Sequence, residues 1–334
     1  MSDYEPYELN ILYRAAHSVM WELADKSGIL GDLGLTIRSM EFSENSKKAE
    51  AALFDSSIDF VAGNHITPYL WVARGRPIVC LASPGNGVSD SVITKDRIAS
   101  LDEFKGRGMR VADSNLIDPW GGIHHPRGNH ILDVERAGYD ADEVEWLEMG
   151  HLGEADLPER LVEAVASGKA DVAFGGGRSA EKLEKEGLHV LRLPTLPMVN
   201  GTTITTTYDT LHQKDGLADR LVRAMILTIH YARVHPEESQ KLLDTKLGRP
   251  YAENGGRAAG VARYPIRPYP TTEGVANAYE LCCMQHEEAK AISPMALWDM
   301  HYLRQLDLSG FIDELVQEEP ESMRGLGSEP SWMS

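Results

Sequence analysis

The chain is short of basic charge: 33 Lys and Arg stand against 51 Asp and Glu in 334 residues, a formal net charge of −18. A protein of that sign lacks the net basic face that phosphate neutralisation requires. This argues against a general DNA or RNA binder and against docking on anionic membrane. It leaves room for a small anionic ligand, because one local basic or N–H-lined cleft is enough. Long apolar stretches are also missing. No run of about 18 apolar residues occurs, so no transmembrane helix is expected. The opening residues, MSDYEPYELNILYRAAH, carry no basic n-region, no useful apolar h-region and no small-residue cleavage site, so the expected location is cytoplasmic. Cysteine is scarce: Cys80, Cys282 and Cys283, with no C-x-x-C and two of the three adjacent. Reduced thiols in a reducing compartment are the expectation. Repeats of 20–50 residues and low-complexity tracts are absent as well.

What is present is ordinary for a globular protein: 42% hydrophobic and 25% charged residues, in a length suited to about two domains. Short apolar runs alternate with amphipathic stretches. Strands are predicted at Leu9–Tyr13, Leu35–Phe42, Ile58–Ala62 and Ile78–Ala82, and helices at Ser18–Lys26, Ser46–Phe54 and Pro68–Ala73. The pattern restarts with a short helix at Leu101–Lys105 and a strand at Met109–Ala112. Helix His130–Ala137, strand Val144–Met149, helix Pro158–Ala166, strand Ala170–Phe174 and strand His189–Leu193 follow. The β-branched run Gly201–Thr207 (GTTITTT) suits a strand returning between lobes. From Leu217 the chain reads as helical, apart from an irregular Gly-, Pro- and Arg-rich stretch at Tyr251–Thr272. Alternating strands and helices imply βαβ units and mainly parallel sheets. The expected layout is lobe one at 1–107 and 206–317, an inserted lobe two at 108–205, and a flexible tail at 318–334.

Four segments carry a resemblance. IDFVAGNHITPYLWVARGRPIVCLA (Ile58–Ala82) is similar to a strand, turn, helix, RG-x-P, strand stretch, and LDEFKGRGMRVAD (Leu101–Asp113) to the entry of a second lobe. LVEAVASGKADVAF (Leu161–Phe174) resembles an "A-L-x-x-G-x-(V/A)-D-A" signature, and SPMALWDMHYLRQLDL (Ser293–Leu308) a C-terminal helix. Together they resemble the type II periplasmic-binding-protein fold, in its sulfonate- and thiamine-precursor-binding branch. The resemblance implies an α/β, two-lobed clamshell, each lobe a mainly parallel sheet flanked by helices, with a helical C-terminal return. The same fold hosts aromatic-acid decarboxylases, a biphenyl sulfinate desulfinase and a pyrimidine-phosphate synthase of thiamine biosynthesis. Asn64-His65-Ile66-Thr67 followed by Arg74-Gly75 resembles the turn that carries the synthase's essential His. The synthase's cofactor lysine is replaced by Val61, and its cysteine-rich stretch has no counterpart near Val199–Thr207, so no pyridoxal phosphate mechanism is expected. Where the desulfinase's nucleophilic Cys should lie stand Ala15, Ala16 and His17, so no thiol attack is expected.

Candidate chemistry collects at the carboxyl ends of strands, where open α/β sheets bind ligands. His65 and His17 each follow a first-lobe strand, and an imidazole can act as acid or base near neutral pH. The loop Asp118–His130 is the densest polar constellation. Gly121 and Gly122 would let N–H groups approach an anion at a helix start, Trp120 would stack on a ring and Arg127 would pair with a carboxylate. His124 is the third candidate acid/base. Asn64, Ser114, His125 and Thr202 are further candidate ligand contacts, and Gly175 and Gly176, in the Gly175-Gly176-Gly177 turn, are read as an oxyanion nest. No cofactor is expected. The zinc spacings are missing, and a metal pooled from His17, His65 and His124 is kept as an outside alternative.

Two functions follow. The first is a cytoplasmic lyase that decarboxylates a small aromatic or heteroaromatic acid held between the lobes, with His65 protonating the carbanion-like centre. The second is a substrate-binding protein of an importer for sulfonates, aromatic acids or thiamine precursors, without catalysis. Either takes a small anionic aromatic partner and neither nucleic acid nor membrane. A homodimer, common among cytoplasmic enzymes, is the expected assembly.

Overall fold

The structure, a computed structural model, describes residues 5–15, 17–140, 143–175, 180–244 and 257–324. The chain first lays down β1 (Tyr7–Tyr13), α1 (Ser18–Lys26), α2 (Ile29–Asp32), β2 (Leu35–Phe42), α3 (Ser46–Phe54), β3 (Phe60–Ala62), α4 (Pro68–Ala73) and β4 (Ile78–Cys80). Local punctuation sets these boundaries. The Asn45 side chain caps α3 by accepting from the Lys48 N–H, and Pro68 opens α4, where its missing N–H costs nothing. Strand β5 (Gly85–Val88) follows, then β6 (Ser91–Thr94), β7 (Met109–Asp113), α5 (His125–Arg136), β8 (Val144–Glu148), α6 (Leu157–Ala166), β9 (Val172–Phe174), α7 (Ala180–Lys185) and β10 (His189–Arg192). Strands β11 (Leu196–Asn200) and β12 (Ile204–Thr207) lead into α8 (Tyr208–Gln213), α9 (Leu217–Val234), α10 (Pro236–Asp244), α11 (Arg257–Ala262), α12 (Thr272–Gln285), α13 (His301–Leu308) and α14 (Phe311–Glu318).

The chain divides into unit 1, residues 1–86 and 199–334, and unit 2, residues 87–198. Both crossings come earlier than the expected 107 and 205. The reason is β6, a strand not predicted from the sequence, which already pairs with β9 and β10 in the second sheet. The crossing segments β5 and β11, also unpredicted, pair with each other.

Each unit is built on a five-stranded sheet, β2-β1-β3-β12-β4 in unit 1 and β10-β6-β9-β7-β8 in unit 2. In unit 1 the strands β1 to β4 run one way and only β12 runs against them; in unit 2 only β6 is reversed. The odd strand is in both cases the first that the chain adds to that sheet after a crossing. Mixed α/β architecture with mainly parallel strand direction is therefore what the chain adopts.

The core of unit 1 forms where α1 and α9 pack with the sheet, burying Trp21, Leu23, Phe60, Leu221, Met225 and Ile229. Each such aliphatic side chain contributes about 1.5–3 kcal/mol over its exposed state. Unit 2 has two apolar clusters, and strand alternation sorts residues between them. Ile93, Ala112 and Ala173 join α6 in one, while Val92, Val111 and Val172 join Val134 of α5 in the other. This alternation also aims Asp113, Glu148 and Phe174 towards α5, because they share parity with Val111, Trp146 and Val172.

Two expectations for the C-terminal part fail. The stretch taken as irregular contains α11, and the tail does not loosen at residue 318. Glu319 is buried and its carboxylate accepts from Arg233 Nη1 at 2.8 Å through both oxygens, so the chain is anchored past α14. Among the described residues no helix is long and apolar enough to cross a membrane.

Candidate functional site

In unit 1, β3 ends at Ala62 and the chain turns through Gly63, whose φ is +96°. A Cβ there would lie 2.1 Å from the His17 ring, so the turn needs glycine because an imidazole rests on it. The structure thus brings His17 against the turn that carries Asn64 and His65. Burial, helped by the Arg14 charge, pulls His17 down to about 4. It is neutral at pH 7 and supplies no imidazolium proton. His65 is buried.

The neighbouring polar groups are absorbed by the fold. Asn64 donates to Glu50 at 3.3 Å, and its Oδ1 accepts from Thr67 at 3.2 Å and from Arg14 at 3.4 Å. Glu50 also accepts from Trp71 Nε1 at 2.6 Å and from the Thr67 hydroxyl. Burial lifts the Glu50 carboxyl above the usual range against these hydrogen bonds. Thr202 accepts from Trp21 Nε1 at 3.1 Å. Asn64 and Thr202, read from sequence as ligand contacts, are buried joints of the protein instead. Glu50 was missed, because a Glu within a helix reads as solvated.

In unit 2 the polar constellation is real, but it is arranged differently from the sequence expectation. Helix α5 begins at His125, not His130. Arg127, His130 and Asp133 therefore follow at three-residue steps along one helix. His130 donates from Nδ1 to Asp113 Oδ2 at 2.6 Å, stacks on Phe174 at 4.0 Å and points Nε2 to Asp90 at 3.8 Å. Burial opposes charge on His130, yet Asp113 and Asp90 together lift it to about 9. Arg127 lies over the Trp146 ring, 3.4 Å from its centroid, with Nε 3.6 Å from Asp113 Oδ2. That separation is an ion pair without a hydrogen bond. Arg127 is 2% exposed, and its Nε and Nη1 have no hydrogen-bond partner among the described residues. Burial pulls it down to about 10 against the carboxylates of Asp113 and Glu148, so it stays cationic at pH 7. Asp133 is pushed up to about 7 by burial and by the nearby Asp90.

The loop before α5 holds itself. Asp118 accepts from the Trp120 and Gly122 N–H groups at 2.8 and 2.9 Å, so the N–H expected to meet an anion at Gly122 is taken. Trp120 is 51% exposed, and Ile117 on the same loop and Leu152 on the loop after β8 are exposed too. Asn115 ties the two loops through reciprocal hydrogen bonds with the Gly150 backbone, at 2.8 and 3.0 Å. His124 Nδ1 lies 3.3 Å from the buried Ser114 hydroxyl, and His125 is half-buried at the helix start. Gly175 ends β9 with φ +137°, and a Cβ there would press within 2.8 Å of Leu161. That glycine serves packing; Gly176 and Gly177 lie outside the described residues.

A concavity of about 640 Å³ at the other end of β7 and β8 is lined by Arg107, Arg110, Glu145 and Asp171, but Arg110 and Asp171 satisfy each other through two side-chain hydrogen bonds. Cys80 and Cys282 are buried and unbridged, and burial pushes both thiols up to about 12. Among the described residues no group of three or more His, Cys, Asp or Glu could hold a metal ion. His17 and His65 belong to unit 1 and His124 to unit 2.

No protein-family model matches the chain, and no curated protein sequence matches it. Solved structures do. A putative sulfonate ABC transporter periplasmic sulfonate-binding protein SsuA from Methylobacillus flagellatus KT aligns at 16% identity and TM-score 0.61, covering 93% of this chain and 97% of that one. The periplasmic aliphatic sulphonate binding protein SsuA from Escherichia coli aligns at 18% identity and TM-score 0.56, covering 89% and 99%. A mutant of DSZB in complex with biphenyl-2-sulfinic acid aligns at 15% identity and TM-score 0.56, covering 90% and 99%. These likenesses span nearly the whole chain. The chain has the fold of the type II periplasmic binding proteins.

Proposed function

We propose that the protein binds a small organic anion, a sulfonate or an aromatic carboxylate, at the carboxyl edge of the second unit's sheet. The observation that carries this reading is Arg127. A buried guanidinium with unmet N–H groups is costly, and such a cost is retained where a ligand repays it. An oxyanion at Nε or at Nη1 would take up one of these donors in a charge-assisted hydrogen bond, the kind a guanidinium makes to a sulfonate or carboxylate. Exposed Ile117, Trp120 and Leu152, on two loops joined through Asn115 and Gly150, offer an apolar rim to the organic part of such a ligand. The structural neighbours named for sulfonate binding make this anion class the natural one to try first.

Decarboxylation is the second reading, with His65 as the proton donor, since His17 is held neutral. One experiment separates the two. The protein is titrated calorimetrically with benzenesulfonate, ethanesulfonate, benzoate and nitrate, and the recovered ligands are weighed by mass spectrometry. Saturable binding with unchanged ligand mass supports the binding protein. Loss of 44 mass units from benzoate or a related acid supports the lyase. In Arg127→Leu the affinity should fall roughly ten- to hundredfold, the worth of a charge-assisted hydrogen bond; unchanged affinity would remove Arg127 from the site.

A further inference from the structure

The α5 cluster is more elaborate than holding a cation in place requires. Asp113 Oδ2 serves two cations, His130 at 2.6 Å and Arg127 at 3.6 Å, so the two share one negative charge. On the far side of His130 lie two more carboxyls. Asp90 Oδ2 and Asp133 Oδ2 are both buried without a hydrogen-bond partner among the described residues. Asp90 precedes β6, Asp113 ends β7, Glu148 ends β8, and Arg127, His130, Asp133 and Arg136 come from α5 itself. The charges facing Asp133 are Asp90, His130 and Arg136; those facing Arg127 are Asp113 and Glu148. Three cations, Arg127, His130 and the exposed Arg136, therefore sit among four carboxyls. Burial beside another carboxyl, without a hydrogen bond, raises a carboxyl's affinity for a proton.

Resting on the anion-binding reading above, we infer that anion binding at Arg127 is proton-coupled: the cluster takes up a proton, held on Asp133, when the anion arrives. The physical reason is local charge. An incoming anion adds negative charge beside a group of carboxyls; His130 is already cationic at neutral pH, and of the two unpartnered carboxyls Asp133 is the more buried, so the proton goes there. Linkage makes the effect reciprocal: the anion raises proton affinity, and a proton raises anion affinity by the same factor. Asp133 titrates near neutrality in the free protein, which places the coupling between pH 6 and 8. If the anion raises that midpoint by about one unit, affinity weakens about fivefold from pH 6 to pH 8.

The test uses the whole protein and benzenesulfonate, whose own charge is constant over this range. Calorimetric titration at pH 7.5 in two buffers of different ionisation enthalpy counts the protons taken up per anion bound. The expected result is uptake of a substantial fraction of one proton, with affinity falling about fivefold between pH 6 and 8. In Asp133→Asn, uptake vanishes and affinity at pH 8 rises to the wild-type value at pH 6. Because that variant could fail to fold, the wild-type proton count stands as an independent readout. Binding without proton uptake and without pH dependence would overturn the coupling and leave the anion site intact. Uptake that persists in folded Asp133→Asn would overturn the assignment to Asp133. No binding of benzenesulfonate at any pH would overturn both the anion site and the coupling.

Discussion

Three arginines are buried among the described residues, Arg220 and Arg233 in unit 1 and Arg127 in unit 2, and the fold treats Arg233 and Arg127 differently. Arg233 of α9 is 1% exposed. It grips both oxygens of Glu319 at 2.8 Å and donates to the carbonyls of Ala262 and Tyr264. Arg127 of α5 is 2% exposed and has a ring face, an off-distance carboxylate and unmet N–H groups. Desolvating a guanidinium costs several kcal/mol in either place. In unit 1 the protein offsets that cost by itself. In unit 2 it does so only in part. The same contrast holds for the carboxyls: Glu50 of unit 1 is ringed by neutral donors, whereas Asp90 and Asp133 of unit 2 each keep a buried oxygen without a hydrogen bond among the described residues. At these positions the buried polarity of the first unit is used up within the fold, and that of the second is what the proposed anion site would use.

The largest expected effect breaks the satisfied side of this contrast. Glu319→Ala leaves Arg233 charged, buried and without its carboxylate, which should destabilise unit 1 by about 3–5 kcal/mol. Hydrogen exchange followed by mass spectrometry would report it as lost protection in α9, α11 and α14, with unit 2 spared. Next comes acid. The folded-state value of His17, near 4, lies below its usual 6.5, so it contributes stability that is full above 6.5 and lost as pH falls towards 4, by up to about 3 kcal/mol. Glu50, whose carboxyl is raised, works the other way on the same descent, so the comparison must be wild type against His17→Gln. The variant should lose less unit 1 protection between pH 6.5 and 4. In unit 2 the sign reverses. His130 and Asp133 are both raised, so their contribution is greatest at low pH; His130 loses its share as pH rises from 6.5 to 9, and Asp133 as pH rises from 3.8 to 7.

A smaller effect sharpens the carboxyl comparison. Glu50→Gln keeps one acceptor oxygen but turns an amide N–H₂ towards donors of Asn64, Thr67 or Trp71. Two donors then face each other in a buried site, at a cost of about 1–3 kcal/mol, measurable by chemical denaturation. A stability unchanged by this substitution would mean that the Glu50 hydrogen bonds matter less than their geometry implies.

How much of this could be read from the sequence depended on whether the signal was local. Helices Ser18–Lys26, Ser46–Phe54 and Pro68–Ala73 and strand Leu35–Phe42 match expectation to the residue; Asn45 and Pro68 mark two of the helix starts on the spot. Strands β5, β6 and β11 escaped, since they are short and owe their state to pairing partners far away in sequence. The start of α5 escaped for a different reason. Pro126, Gly128 and Asn129 read as loop formers, so the helix was placed five residues late and the Arg127, His130, Asp133 spacing never showed. Arg127 itself was picked out, but as a loop residue pairing with a carboxylate. Its burial depends on Trp146, Asp113 and Glu148, brought beneath it by the register of β7 with β8, which no local pattern announces. Thr202 was picked for its hydroxyl, and the indole that uses that hydroxyl lies 181 residues away.

The smallest expected effect is the most informative. In Arg127→Leu an apolar side chain of lesser reach replaces a buried cation with unmet N–H groups. The loss is the contact with the Trp146 face and an ion pair at 3.6 Å; the gain is the removal of a desolvated charge. Asp113 keeps His130 as its hydrogen-bond partner, so no carboxylate is stranded. The two sides nearly cancel, and the change in folding stability should stay within about 1 kcal/mol, while organic-anion affinity falls roughly ten- to hundredfold. Exchange protection of β7, β8 and α5 would then be close to wild type. A loss approaching that of Glu319→Ala would instead make Arg127 a structural cation like Arg233. The difference between the two units would then lie only in how their hydrogen bonds are drawn, and the case for a ligand at α5 would go with it.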